Sequence, residues 1–403
     1  AGMHPFYRSR QALLSVVLHL AEKRKQPFWL EENALMQLAP ELAQRDLRFI
    51  LLVTTAGMVR RGTLAPFFAS LQSHGIAFSV FSDVMPDPTT ECVEQGYRLF
   101  KEQKCSAIVA IGGGSVLDCA KGIAARAARP EKTLLQMRGL LQVRGGKNLP
   151  PLFAVPTTAG TGSEATAAAV FTDASSEKHY KFAVSDFCLV PRLAVLDPLL
   201  TKSLPPQLTA QTGMDAMTHA VEAYINRFAS AYVKKTATEA VRLIDGNLYT
   251  AYTNGDDLGA RKNMLYASYL AGIAFTNNFV GYVHALAHAV GALYGVPHGL
   301  ANAVLLPAVL REYGAAVTKP LSELASAAGL CEKSEEALAD AFIRRIETLC
   351  ESMRIPDRFS VLRQEDFPLL ISRALCEANP DYPVPVIFGE SELAEILHAV
   401  SPC

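Results

Sequence analysis

Residues 107–121 read Ala-Ile-Val-Ala-Ile-Gly-Gly-Gly-Ser-Val-Leu-Asp-Cys-Ala-Lys, and this stretch decides the fold. Its first five residues form a short strand with no polar face, as in a parallel sheet covered on both sides. Gly112, Gly113 and Gly114 end the strand, and the residues from Ser115 to Lys121 suit a helix. Glycines let a backbone approach a phosphate closely. The helix start adds free N–H groups and the positive end of its dipole. The run is neither GxGxxG nor a Walker loop, since no Gly-Lys-Ser/Thr follows. A tight structural turn is the other reading, and Asp118 either serves a nucleotide or simply favours the first helical turn.

The same alternation extends in both directions. Apolar runs lie at 48–53, 77–81, 152–155 and 193–196, and helix-length segments lie at 63–74, 90–104 and 115–128. Strands alternating with helices predict a parallel sheet. After Asp197-Pro198 the strand signals stop. Residues 205–403 read as helices, with helix formers over 236–244, 261–274 and 334–353. We therefore expect two domains: an α/β, Rossmann-like dinucleotide-binding domain over 1–200 and an all-helical domain over 201–403, divided near Pro198, Pro205 and Pro206. An extra helix at 8–24, ending in Lys23-Arg24-Lys25, reads as a solvated addition to the first domain.

Composition sets the outer limits. A chain of 403 residues, half hydrophobic and 19% charged, holds a large core and is not disordered. With 38 basic and 39 acidic residues, a net charge of -1 gives no footprint for nucleic acid or an anionic membrane. Residues 263–310 contain no Lys, Arg, Asp or Glu, but Asn277, Asn278, His284, His288, Pro297, His298 and Asn302 interrupt every candidate span. They read as buried helices around a polar site. The eight cysteines are at least 13 residues apart, which excludes a CxxC pair, and no secretory signal is read at the start. Reduced thiols and a cytoplasmic protein are expected.

Two further stretches carry chemistry. Pro156-Thr-Thr-Ala-Gly-Thr-Gly-Ser-Glu164 follows another apolar strand, so its hydroxyls and glycines fall where strand carboxyl ends line a crevice. A loop that caps the next helix through Ser163 is the alternative. Lys181, between Tyr180 and Phe182, reads on its own as a solvated lysine. The stronger signal is Gly213-Met-Asp-Ala-Met-Thr-His-Ala-Val-Glu222, with Asp215 and His219 on one helix face. It is joined by His284 and His288, again four apart, and by His298 after a Gly-Val-Pro break. Imidazoles and a carboxylate on apolar helices, with no nearby acid or base to pair them, suit a first-row divalent metal. Spacing does not choose between His284 and His288.

The set GGGSxxDxAK (112–121), PTTAGTGSE (156–164), GMDAxTHAxE (213–222) and GYVHALAHxxGALYxxPHG (281–299) resembles the iron-containing (group III) alcohol dehydrogenases from about residue 46 to the end. The resemblance implies a dehydroquinate-synthase-like architecture, with a catalytic cleft between a dinucleotide-binding domain and a helical metal-binding domain. It implies Asp215, His219, His284 and His298 as metal ligands, for Fe(II) first and Zn(II) second, with His288 beside the nicotinamide and substrate. Gly112, Gly113, Gly114 and Ser115 would hold the pyrophosphate of NAD or NADP, with Asp118, Thr157, Thr158, Thr161 and Lys181 as further contacts and Phe275 as a wall. A small alcohol or aldehyde substrate and a homodimer or larger assembly are also implied.

Two departures from the family stand out. NAD-using relatives typically carry Asp after the first strand. This chain has Thr55 there, followed by Arg60 and Arg61, which opens the site to NADP. The N-terminal helix replaces a strand-like start. The expected activity is reversible alcohol oxidation, in which the metal acts as a Lewis acid while hydride passes to nicotinamide, with His288 as proton relay. The rivals are a dehydroquinate-synthase-like lyase, a polyol dehydrogenase of the same superfamily and a non-catalytic sensor. The lyase needs basic residues for a phosphorylated acid, and the uncharged 263–310 segment opposes it.

Overall fold

A computed structural model describes residues 4–21, 25–145, 148–174 and 180–402. The chain forms two compact units, one of residues 25–203 and one joining the N-terminal helix to the residues from 204 onward. This corrects the expected place of that helix, which spans His4–Ala21. It is not a solvated addition to the α/β unit. Gln11 and Ser15 are buried, and Arg8 Nη1 donates to the Val384 carbonyl at 2.7 Å while Gln11 Nε2 donates to the carbonyls of Pro380 and Tyr382. Periodicity could not show this, because the docked face mixes the polar Gln11 and Ser15 with Leu18. Lys23 and Arg24 of the basic run lie outside the described residues.

The α/β unit contains β1 (Phe28–Leu30), β2 (Phe49–Val53), β3 (Ala77–Phe81), β4 (Ala107–Gly112), β5 (Gly139–Leu140), β6 (Leu152–Pro156), β7 (Ala168–Asp173), β8 (Tyr180–Ser185) and β9 (Leu193–Leu196). Six of them pair in parallel in the order β1-β9-β6-β4-β2-β3, and β5, β8 and β7 make a small second sheet. Alternate residues feed opposite cores. Leu51, Val53, Ile108 and Ala110 pack against helices Thr90–Glu102 and Gly114–Ala128, and Ile50, Leu52, Val109 and Ile111 face helices Ala34–Gln44 and Ala65–Ser73. Both faces are covered, which is why the strands read as unbroken apolar runs.

From β2 the chain goes to β3 on one side and returns to β4 on the other. The ends of β2 and β4 are therefore a topological switch point, the place where open α/β sheets bind ligands. Thr54 Oγ1 ties the two ends together by donating to the Ile111 carbonyl at 2.8 Å.

In the other unit, helices Pro206–Ile225, Ala231–Thr253 and Leu258–Asn278 pack on one another. Tyr282–Tyr294, His298–Tyr313, Thr318–Ala327, Glu335–Ser352, Phe367–Ala378 and Glu390–Ala399 complete it. Among the described residues one run, His298–Ala327, is long and apolar enough to cross a membrane. It is mostly buried inside the protein and begins with a histidine of the polar cluster, so its apolarity belongs to a core.

Candidate metal centre and cofactor loops

Three helices of the helical unit bring four side chains together. Asp215 and His219 lie one turn apart on Pro206–Ile225, His284 lies in the first turn of Tyr282–Tyr294, and His298 opens His298–Tyr313. Gly299 makes the last approach possible, since a Cβ there would sit 2.3 Å from the Gln211 carbonyl oxygen one turn before Asp215. One ligand atom from each of Asp215, His219, His284 and His298 lies within 4.8 Å of the others. The Nε2 atoms of His219, His284 and His298 stand 3.8, 3.5 and 3.3 Å from Asp215 Oδ1. A tetrahedron with metal–donor bonds near 2.1 Å has edges of about 3.4 Å. The donor set fits a divalent first-row ion in both chemistry and scale.

The electrostatics agree. Burial would raise the Asp215 carboxyl, but the facing His219 and His298 outweigh it and hold the group well below the usual range. Burial opposes charge on His284, yet Asp215 and Glu222 lift it to about 9. Burial lowers His298. Three imidazoles crowded on one buried carboxylate cannot all carry protons, and a cation satisfies all four at once.

Spacing left His284 and His288 as alternatives, and the geometry separates them. His284 turns Nε2 toward Asp215 and Nδ1 toward Glu222 Oε2 at 2.7 Å. The ring of His288 stacks on that of His298 at 5.0 Å, and its Nδ1 meets Glu377 Oε1 at 2.8 Å. The expectation that these histidines lack acidic partners is thus corrected. Glu222 was in view, seven residues after Asp215 and so on the same helix face. Asn302, one turn after His298, was also missed. Its Nδ2 lies 2.8 Å from Asp215 Oδ1, 3.2 Å from His284 Nε2 and 3.1 Å from His298 Nε2. Glu377, 89 residues from His288, left no sequence signal. Phe275 stacks on the His219 ring at 4.3 Å.

In the α/β unit the two glycine and hydroxyl loops meet. Thr157 N–H donates to the Gly112 carbonyl at 3.0 Å, and a Cβ on Gly114 would fall 2.5 Å from Thr161 Cγ2. Thr158 lies against Gly113. The loop after β6 therefore packs on the helix start after β4, and glycine is required there by close approach. Asp118 has a bracing part: its carboxylate accepts from Ser163 Oγ at 2.7 Å and from the Val170 N–H at 3.0 Å. Lys181 is not freely solvated. Its Nζ pairs with Asp87 Oδ1 at 2.9 Å, and the Asp87 N–H donates to Ser115 Oγ at 3.3 Å. Behind the loop, fully buried Lys121 donates from Nζ to Thr166 Oγ1 and to the carbonyls of Thr166 and Ala168, all at 2.8 Å.

At the end of β2, Thr55 caps the helix Ala56–Arg60 by accepting from the Met58 N–H. A Cβ on Gly57 would lie 3.2 Å from Arg61 Nη1 and 3.9 Å from Thr55 Oγ1, so the Arg61 guanidinium folds back over this turn. Asp83, exposed, forms a backbone bridge with Thr55.

Comparisons with known proteins match both units of the chain. The iron-containing alcohol dehydrogenase family model matches residues 26–198, and the model of that family's C-terminal part matches 209–401. A 1,3-propanediol dehydrogenase of Klebsiella pneumoniae is 40% identical over 352 residues, covering 86% of this chain and 89% of that protein. The crystal structure of a 1,3-propanediol oxidoreductase superposes with a TM-score of 0.86 at 37% identity, covering 93% of this chain and 97% of the other. An alcohol dehydrogenase from Oenococcus oeni superposes with a TM-score of 0.87 at 31% identity, covering 93% and 98%.

Proposed function

The chain belongs to the iron-containing alcohol dehydrogenase family, and from that premise we propose how its own residues carry the chemistry. It is a metal-dependent oxidoreductase that moves hydride between an alcohol or aldehyde and a nicotinamide cofactor. In our reading Asp215, His219, His284 and His298 hold one divalent ion, Fe(II) first and Zn(II) as the alternative. The convergence of their four donor atoms carries the proposal. Such an ion supplies Lewis-acid polarisation of an alcohol oxygen. Glu222 fixes the His284 ring, keeping the proton on Nδ1 and the lone pair on Nε2. Glu377 does the same for His288, leaving its Nε2 to take the substrate's hydroxyl proton.

The N–H groups of Gly112, Gly113, Gly114 and Ser115, with the helix start behind them, would hold the cofactor's pyrophosphate. Thr157, Thr158, Thr161 and Lys181 border that loop, Asp118 keeps it in shape and Phe275 lines the nicotinamide side. We infer that both NAD and NADP bind, since Arg61 offers a cation and Asp83 a carboxylate beside Thr55. The substrate is a small primary alcohol or its aldehyde, in keeping with the 1,3-propanediol relative. The uncharged 263–310 segment leaves a phosphorylated acid without cationic partners there, so the lyase reading is not favoured.

We place the enzyme in the cytoplasm, as its described cysteines are all free thiols. We also propose a homodimer or larger assembly, consistent with Phe6, Leu13, Val16 and Val17 left exposed on the N-terminal helix. Light scattering gives the subunit number. Protein reconstituted with Fe(II) or Zn(II) and assayed with short alcohols and both cofactors tests the main proposal. Formation of NAD(P)H that requires the metal is the expected result, and no turnover with any of them overturns it.

A further inference from the structure

The four candidate metal ligands are not equally reachable. The side chains of Asp215, His219 and His284 are 3, 6 and 3% exposed, whereas that of His298 is 39% exposed. A substrate oxygen therefore reaches the cluster past His298. Two other groups stand on that side. The His288 ring lies nearly parallel to the His298 ring, at 15° and 5.0 Å, and Glu377 grips its far nitrogen. Both are open to solvent, at 28 and 30%. Glu377 Oε1 accepts from His288 Nδ1 at 2.8 Å and from the Tyr382 hydroxyl at 3.0 Å. Its ion-pair partner among the described residues is His288 alone.

These observations place a carboxylate without a Lys or Arg partner one imidazole away from the only open ligand. Orienting His288 would need no more than a neutral acceptor. A full negative charge at the entrance does something further: it repels any substrate carrying its own anion. At separations of about 6–8 Å and an effective dielectric near 20, such repulsion costs roughly tenfold or more in affinity. Burial works against the Glu377 charge, but His288 and Tyr382 outweigh it and hold the carboxyl below its usual range, so the charge is present at neutral pH.

We propose that Glu377 is a specificity-determining residue, admitting neutral or cationic short alcohols and excluding hydroxy acids and their aldehydes. This rests on the dehydrogenase reading above.

The test compares three substrates of one length: 1-propanol, 3-hydroxypropanoate and 3-amino-1-propanol, which are neutral, anionic and cationic at pH 7. The proteins are metal-loaded wild type and Glu377→Gln, whose amide oxygen still accepts from His288. Metal content is measured alongside as a control. The same three compounds are also titrated by calorimetry, so that binding is read without turnover. The expected result is that the substitution raises affinity and kcat/KM for the anion roughly tenfold relative to the neutral alcohol and lowers them for the cation relative to it, whatever common change in rate the altered His288 brings. If all three fall together, or none changes, Glu377 only positions His288 and the specificity assignment is overturned. If wild type turns over none of the three yet binds them with the charge order reversed by Glu377→Gln, the dehydrogenase reading fails and the charge selection stands.

Discussion

Asn302 donates its side-chain N–H to Asp215 Oδ1 across 2.8 Å, from one helical turn beyond His298. Asn302 is fully buried and its Oδ1 has no partner, so the amide is held by its nitrogen alone. The same Nδ2 lies 3.2 and 3.1 Å from His284 Nε2 and His298 Nε2, so the amide turns from these donors when an ion takes them, while still orienting the Asp215 carboxylate. Support of this kind is typically worth 10–100-fold in metal affinity. Asn302→Ala should therefore weaken Fe(II) or Zn(II) binding by about that factor in chelator competition, with little loss of helix content. Unchanged affinity would remove Asn302 from the centre.

The two histidines four residues apart should separate by metal content. His284→Ala removes a donor and leaves Glu222 Oε2 buried without its imidazole partner, so the metal content measured by emission spectroscopy should fall well below one per chain and turnover should vanish. His288→Ala should keep its metal and lose rate by about 10²–10⁴-fold, the range for a proton-transfer group. Full metal retention in His284→Ala, or metal loss in His288→Ala, would exchange the roles.

Glu164 gives a prediction about stability rather than catalysis. Its side chain is buried, neither carboxylate oxygen has a hydrogen-bond partner, and burial pushes its pKa from 4.5 to about 7. Below about 4.5 both folded and unfolded chains are protonated and the group costs nothing. Between 4.5 and 7 the unfolded chain releases its proton while the folded one keeps it, so stability falls as pH rises through that window. Lys121, lowered by burial to about 8, acts at higher pH, where stability rises toward 10.5. Glu164→Gln should then match wild type near pH 4.5 and exceed it by up to about 3 kcal/mol near pH 7.5. Melting curves at the two pH values, with metal content fixed, check this. Equal differences at both would show that Glu164 keeps its charge when buried.

Much of this was legible in the sequence, for identifiable reasons. The strands β4, β6 and β9 were readable because both sheet faces are covered and each is apolar throughout, and β2 and the edge strand β3 because apolar residues dominate them. The edge strand β1 and the second sheet of β5, β7 and β8 were not, since they are short or mixed in polarity. Asp215 and His219 came from spacing along one helix, whereas spacing left His284 and His288 open and only the family resemblance pointed to His284. Glu377 and Asp83 reach their partners only through tertiary packing, across 89 residues in one case and by a backbone bridge in the other. The place of the N-terminal helix was not legible because its buried face combines Gln11 and Ser15 with Leu18 rather than a continuous apolar stripe.

Cofactor choice turns on the end of β2. Where an acid would bind the adenosine ribose stands Thr55, whose neutral hydroxyl accepts from the Met58 N–H and offers the nucleotide no charge. A carboxylate at that position is typically worth about 1.5–3 kcal/mol toward a ribose hydroxyl, and it repels a 2'-phosphate. The side chains that remain have opposite signs. Arg61 folds over Gly57, 3.2 Å from where a Cβ would stand, and Asp83 bridges to Thr55 from beyond β3. One favours NADP and the other NAD, so wild type should separate the two cofactors by no more than about tenfold, or 1.4 kcal/mol. Each contribution can be removed on its own. Arg61→Ala should cost NADP about tenfold and leave NAD nearly unchanged. Asp83→Asn should move preference toward NADP, and Thr55→Asp should move it toward NAD. The measurement is kcat/KM for both cofactors at one ionic strength, because the Arg61 contribution is exposed and screened by salt. A wild type favouring NAD by a hundredfold, with Arg61→Ala neutral toward NADP, would show that the guanidinium never meets the phosphate.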